Sequence, residues 1–193
     1  SCGEVVIGID RSSGLLISIE IRGEELLLQV LRPNFWRAPT DTDFGNYMPD
    51  WAAAWAEAVD HRELLSLEVI EEDSSGVKLQ ASYRFSDAKG QPVAAWATRF
   101  SFDTSGELHV QNRFSKEEGQ PVVPRIGMNV ELRADLEQVS WFGRGPFENY
   151  SDRKQAANVG QYSNRVSDHY VPYMRPQENG YKTDVRWLRL HDN

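Results

Sequence analysis

The sequence predicts an all-β fold, either a sandwich or a barrel of antiparallel strands. Apolar residues recur with a period of two in many short stretches, which places alternate side chains on one buried face of a strand. Turn-forming residues separate these stretches about every 8–12 residues, a spacing typical of sandwiches and barrels. The 193 residues suit one sizeable unit of this kind, so we expect a single domain over residues 1–193.

The first hairpin shows the pattern directly. Apolar residues alternate over 5–9 and 15–21, and the residues between them, 10–14, have turn composition. The dipeptide at 22–23 then breaks the second strand, because it ends in glycine. Further strands are expected at 26–30, 65–71, 77–85, 96–102, 108–114, 126–132, 139–142 and 187–190.

One segment departs from the strand pattern. Residues 51–59 are rich in alanine, which favours helix, and Asp50 is placed to cap the free N–H groups of a first turn. Trp51 and Trp55 are four residues apart and would lie along one face of that helix. The segment predicts one short helix covering an edge or end of the sheets, with both tryptophans, like Trp96, in the core.

Three polar stretches, 32–50, 143–155 and 172–181, are expected to be irregular. Long loops in compact domains usually bind a ligand or dock onto a neighbour. The second stretch begins with Gly143-Arg144-Gly145-Pro146, which lacks the spacing and the lysine of a phosphate-binding loop. It is therefore expected to form a tight turn.

Composition argues against several classes of partner. The chain has 29 acidic and 21 basic residues, a formal net charge of −8, so nucleic-acid binding is not expected. Its most apolar run, at 26–28, is far shorter than the roughly 20 residues that span a membrane. The single cysteine, Cys2, cannot form an internal disulfide or a zinc cluster and is expected to be a free thiol.

Candidate catalytic groups are few. A retaining glycosidase needs two carboxylates about 5 Å apart across the sugar, and the sequence alone places no such pair. Asp41 and Asp43 could bind a sugar hydroxyl or a cation, although side-chain turns are the commoner role of such residues in loops. The four histidines share no metal-ligand spacing, and the pattern Gly-x-Ser-x-Gly of a nucleophile elbow does not occur. No catalytic residue and no metal site are therefore predicted.

Three long stretches, in this order, resemble the C-terminal (small-chain) domain of large bacterial β-galactosidases. They are RPNFWRAPTDTDFG at 32–45, WFGRGPFENYSDR at 141–153, and YVPYMRPQENG at 170–180 followed by TDVRW at 183–187. The resemblance covers nearly the whole chain. It implies a large antiparallel super-sandwich similar to galactose mutarotase, truncated here and carrying one short helix.

The resemblance also implies a role. The intact enzymes hydrolyse terminal β-D-galactosides such as lactose with retention, and their two catalytic glutamates lie in a (β/α)₈ barrel that precedes this domain. The chain would then be a non-catalytic portion that completes the substrate entrance and braces the barrel, inactive when isolated. It is expected to hold no cofactor itself, with the Mg and Na of the parent enzyme in other domains. The compartment is left open between cytoplasm and periplasm of a bacterium.

The matching motif positions supply the candidate site residues. Residues expected to line or gate the galactoside entrance are Asp41, Thr42, Asp43, Phe44, Gly45 and Asn46. Residues assigned to a polar surface of the motifs, or to ties between loops, are Arg144, Glu148, Asn149, Glu178 and Asn179. Phe147 departs from the family, where histidine or another polar residue is common, and the tryptophan on which substrate stacks is absent.

Two alternatives remain open. A stand-alone carbohydrate-binding module would use exposed faces of some of the six tryptophans, which suit sugar rings. A mutarotase-like epimerase would need a histidine, His109 or His169, beside a carboxylate. The ends at Ser1 and Asn193 are interpreted as cuts in a longer polypeptide. Missing strands would leave open sheet edges, through which the isolated chain is expected to self-associate.

Overall fold

A computed structural model describes residues 4–192, which form two compact units. Of these residues, unit 1 holds 4–37 and 47–132, and unit 2 holds 38–46 and 133–192. Cys2 lies outside the described residues, and the expectation of a single domain stays a prediction. Within 4–192, no helix is long and apolar enough to cross a membrane.

Unit 1 is built from two antiparallel sheets. Its strands are β1 Val5–Ile9, β2 Leu16–Ile21, β3 Glu24–Glu25, β4 Leu27–Asn34, β5 Arg62–Asp73, β6 Gly76–Ser86, β7 Pro92–Asp103, β8 Leu108–Lys116 and β9 Gly127–Leu132. One sheet has the order β1-β2-β4-β9, with β3 beside β2, and the other has the order β5-β6-β7-β8. In the second sheet every strand pairs with its neighbour along the chain, as short hairpin turns require.

The core of unit 1 joins these two sheets. Phe35, which follows β4, is fully buried, and its ring centre lies 4.9 Å from that of Phe85 and 5.7 Å from that of Trp96. A second cluster packs Leu16 of β2 against Phe100 of β7. Side chains from both sheets therefore meet face to face, and the prediction of an antiparallel all-β sandwich is confirmed.

Aspartate side chains close the hairpin turns of unit 1. Asp10, Asp73 and Asp103 each accept hydrogen bonds from the backbone N–H or hydroxyl of a serine two or three residues later. These bonds satisfy backbone donors that a sharp turn removes from the strand ladder. The turns predicted at the positions that follow β1, β5 and β7 are thus confirmed.

Residues 4–192 contain three short helices rather than the single one predicted: α1 Asp41–Gly45 in unit 2, and α2 Met48–Trp51 and α3 Ala53–Glu57 in unit 1. Helices α2 and α3 occupy the region where the single helix was expected. The prediction that Asp50 caps the helix is wrong. Pro49 lies in the first turn of α2, so the helix begins earlier, directly after Tyr47. The break at Ala52 also changes the buried face. Trp55 and Trp96 are buried as predicted, but Trp51 is 42% exposed.

Unit 2 contains a three-stranded antiparallel sheet. Its strands are β10 Gln138–Gly145, β11 Asn158–Arg165 and β12 Trp187–His191, in the order β11-β10-β12, and a 3₁₀ turn follows at Val166–His169. The sequence did not predict β11. The tight turn expected at 143–146 is also wrong, because Gly143 to Gly145 continue β10. A Cβ on Gly143 would lie 2.9 Å from Val185 Cα, so glycine at this position lets the backbone of Val185 pack closely against β10.

Candidate functional site

Two of the three family-like stretches, 141–153 and 170–187, are joined in unit 2 through Asn149. This side chain is fully buried. Its Oδ1 accepts from the backbone N–H of Thr183 at 2.9 Å and from the Thr183 hydroxyl at 2.5 Å, and its Nδ2 donates to the Phe147 carbonyl at 3.1 Å. The backbone N–H of Asn149 also donates to the Tyr181 carbonyl at 2.8 Å. Asn149 therefore holds one long loop on the other.

Glu148 makes a second tie between the same stretches. Its side chain is only 9% exposed, and it accepts from the backbone N–H of Gly180 at 2.9 Å, from Arg153 and from the Tyr173 hydroxyl. Burial raises the pKa of Glu148, but these donors outweigh burial and leave the pKa below its ordinary value. The carboxylate is thus ionised and fully engaged inside the protein, which does not suit a general acid.

Arg144 and Asn179 also serve as ties. Arg144 Nε donates to Asp184 at 2.6 Å, and Arg144 Nη1 donates to the carbonyls of Lys154 at 3.1 Å and Ala157 at 2.7 Å. Asn179 Nδ2 donates to the Val171 carbonyl at 3.2 Å. Glu178, the remaining residue of this predicted group, is half-buried beside Asn179.

The predicted entrance residues, 41–46, form helix α1 and the residue after it, not the irregular loop expected. Thr40 and Asp43 form a capping box, in which the Asp43 carboxylate accepts from the Thr40 N–H at 2.8 Å and from its hydroxyl at 2.9 Å. Asp43 is buried, so its carboxylate stabilises the turn. Thr42, Gly45 and Asn46 complete the segment, and the Asn46 N–H donates to the Thr42 carbonyl at 3.1 Å.

The entrance segment contacts the third family-like stretch. The guanidinium of Arg175 lies 4.0 Å from the ring centre of Phe44, and its Nη1 lies 3.4 Å from Asp41 Oδ1. The backbone N–H of Asp41 donates to Gln177 Oε1 at 3.4 Å. Both groups of predicted site residues therefore lie in unit 2 and are linked through 175–177.

Several residues of this assembly were not singled out from the sequence, among them Arg153, Tyr173, Arg175, Gln177 and Lys182. All lie within or directly beside the family-like stretches, so their position was the available signal. Lys182 is half-buried, with its Nζ 5.5 Å from the centre of the Trp141 ring, and burial lowers its pKa. Several polar loop residues could have contacted Glu148. The ones that do so are set by contacts between distant parts of the chain, and the periodicity of the sequence does not report such contacts.

The two histidines considered for an epimerase lie in different units. His169, whose pKa is lowered by burial and by Lys182, shares a hydrogen bond of 2.7 Å with Asn164. His109 lies on β8, and its ring, Asp103 and Glu107 offer oxygen and nitrogen atoms within 4.8 Å of one another. Asp103 already accepts from the turn it closes, so this exposed group is explained by the hairpin.

Comparison with known proteins adds a family. A family model described as the β-galactosidase small chain matches residues 1–193. The chain is also similar to curated β-galactosidases of Priestia megaterium (34% identical over 186 residues), Halalkalibacterium halodurans (32% over 202) and Vibrio cholerae (34% over 196). These matches cover 94%, 98% and 94% of this chain but 17%, 20% and 18% of the relatives. The chain thus spans about a fifth of the length of the curated relatives it matches.

Proposed function

The chain belongs to the β-galactosidase small-chain family, and from this premise we propose that it is a non-catalytic part of a longer β-galactosidase. The parent would hydrolyse terminal β-D-galactosides such as lactose with retention, on a barrel domain outside this chain. This part would complete the substrate entrance and brace the barrel. We assign no cofactor to it, and any Mg or Na of the parent to other domains.

One observation carries the proposal of a non-catalytic role. The carboxylates of Asp43, which is buried, and Glu148, whose side chain is 9% exposed, are occupied by hydrogen bonds from their own unit. A retaining glycosidase needs one carboxylate free to attack the sugar and another to exchange a proton with it. Groups engaged in this way support the packing of loops rather than chemistry at a sugar.

The entrance role is supported by the outward faces of 41–46. Asp41 is 61% exposed as a side chain, and Phe44 is 38% exposed. The capping box holds the backbone beneath them in a defined turn. An acceptor beside an aromatic ring, held on a defined backbone, is the chemistry that recognises a sugar hydroxyl and the apolar face of its ring.

Activity assays on the purified chain test the proposal. We expect no hydrolysis of a chromogenic β-galactoside and no saturable change in tryptophan fluorescence with galactose or lactose. Mixing the chain with the separately expressed remainder of its parent should produce turnover. Turnover by the chain alone that survives repurification would contradict the proposal, and saturable binding without turnover would favour a carbohydrate-binding module.

We also propose that the isolated chain self-associates by strand addition at β12. This strand ends the β11-β10-β12 order, and its Trp187 and Leu188 are 43% and 56% exposed. An exposed strand edge beside apolar side chains is a template for pairing with another chain. Light scattering over a range of concentrations should reveal dimers, and Leu188→Lys should shift the chain towards monomer. A strictly monomeric wild-type chain at high concentration would contradict this.

A further inference from the structure

The entrance segment is too short to be stable alone. Helix α1 has five residues, and an isolated helix needs about 12–15 residues to form appreciably in water. At its ends the Phe44 N–H donates to the Thr40 carbonyl and the Asn46 N–H donates to the Thr42 carbonyl, both at 3.1 Å. Contacts outside 40–46 must therefore contribute to keeping the turn formed.

The stretch 171–180, which we term the platform, is firmly held. The Tyr173 hydroxyl and the backbone N–H of Gly180 donate to the mostly buried carboxylate of Glu148. Gly180 has φ +75°, and a Cβ there would lie 2.9 Å from the His169 carbonyl oxygen, so a close backbone contact fixes this end. Asn179 bonds the Val171 carbonyl and links the two ends of the platform.

Arg175 joins the turn to the platform. Its guanidinium makes two different contacts with α1, a stack on the Phe44 ring at 4.0 Å and an ion pair with Asp41 at 3.4 Å. The side chains of Arg175 and Asp41 are 55% and 61% exposed, so water screens the ion pair. A firm platform and a marginal turn are thus linked by contacts of modest strength.

We infer that Arg175 is a positioning residue, which holds the 41–46 turn on the platform and so sets the geometry of the proposed entrance. Its planar cation fits both partners at once, a match that lysine reproduces only in charge. The consequence for the entrance rests on the proposed function. The placement of the turn does not, and it can be measured without any activity.

Hydrogen exchange on the full 193-residue chain tests the placement. Arg175→Ala should speed exchange of the Phe44 and Asn46 amides about tenfold, because it removes a cation–π contact and an ion pair together. Arg175→Lys should restore part of the protection, since the charge near Asp41 remains. Amides of β10 should be unchanged, which shows that the variants are folded.

Two variants serve as matched controls. Met174→Ala alters a fully exposed neighbour on the platform. Arg186→Ala removes a comparable contact in the same unit, where the Arg186 guanidinium lies 5.4 Å from the centre of the Phe142 ring. Neither should change exchange at 44 and 46. Unchanged exchange in Arg175→Ala would overturn the inference, as would an equal acceleration in both controls.

A kinetic measurement separates this inference from the proposed function. In the full-length β-galactosidase that carries this chain, Arg175→Ala should raise KM for lactose about threefold to tenfold with kcat nearly unchanged, because the entrance and not the chemistry is altered. Arg175→Lys should again lie between. Faster exchange without a change in KM would leave the positioning role standing and would overturn the entrance role of 41–46.

Discussion

Unit 1 and unit 2 are each stabilised from within, by different kinds of contact. Unit 1 has regular hairpins over a core of aromatic side chains, centred on Phe35 and Trp55, whose rings lie 5.7 Å apart. Unit 2 has a smaller sheet, and its long loops are joined by polar side chains, the buried Asn149 and the mostly buried Glu148. The stretches that resemble a known family are concentrated in the unit where apolar patterning is weakest.

This difference shows where sequence constraint comes from in each unit. An apolar core accepts many side chains of similar volume, because the hydrophobic effect is not directional. A buried amide or carboxylate must meet particular donors and acceptors at particular distances. Long family-like stretches are therefore expected where loops are held by such groups, whether or not the loops touch a substrate.

The largest effect is expected in the core of unit 1. Trp55→Ala should lower the free energy of unfolding by about 4 kcal/mol, since it empties a fully buried site. The matched variant Trp51→Ala removes a side chain that is 42% exposed and should cost less than about 1.5 kcal/mol. Denaturant unfolding measures both. Equal losses would mean that one continuous helix buries both tryptophans, as the sequence predicted.

A smaller but still large effect is expected in unit 2. Asn149→Ala should lower the free energy of unfolding by about 2–3 kcal/mol, because it leaves the N–H of Thr183 and the Phe147 carbonyl without their partner. Asn158→Ala, at an exposed position on β11, is the control and should be nearly neutral. If the two variants unfold alike, polar ties do not hold unit 2 together.

The pH dependence of unit 2 gives the next effect. The pKa of Glu148 is lowered in the folded chain, so its contribution is complete above the ordinary value, about 4.3, and is lost as pH falls through the lowered folded value. Glu148→Gln should cost about 1–2 kcal/mol at neutral pH, where charged hydrogen bonds are broken. In unfolding curves recorded from pH 7 downwards, the difference between the two proteins should shrink once the pH falls below the ordinary value. A difference that stays constant with pH would show that folding does not lower the pKa of Glu148.

The smallest effect is expected at the hairpin turns of unit 1. Hydrogen bonds from Ser12 and Ser13 lower the pKa of Asp10 to about 2. Its contribution is therefore present above the ordinary pKa, about 3.9, and is lost as pH falls towards about 2. NMR titration of the Asp10 carboxyl checks this value. Ser12→Ala should raise the pKa with little change in thermal stability, because the Ser12 side chain is exposed to solvent.

Most of unit 1 could be predicted from the sequence because its structure is local. Alternation marked the strands, and Asp and Gly residues marked the turns that join neighbours. The errors in the whole chain lie where a second local rule or a distant contact decided the outcome. Pro49 displaced the helix start from Asp50, and close approach of Val185 kept Gly143 in a strand.

The sequence by itself determined the strand class, the hairpins of unit 1 and the family to which the chain belongs. Only the tertiary structure decided which polar residues of unit 2 meet. Asp41 bonds Gln177 across 136 residues, and Asn149 bonds Thr183 across 34. Periodicity reports which side of a strand is buried, but it does not report the distant partner of a polar side chain. That partner is set by the path of the folded chain, which brings donors and acceptors within hydrogen-bonding distance.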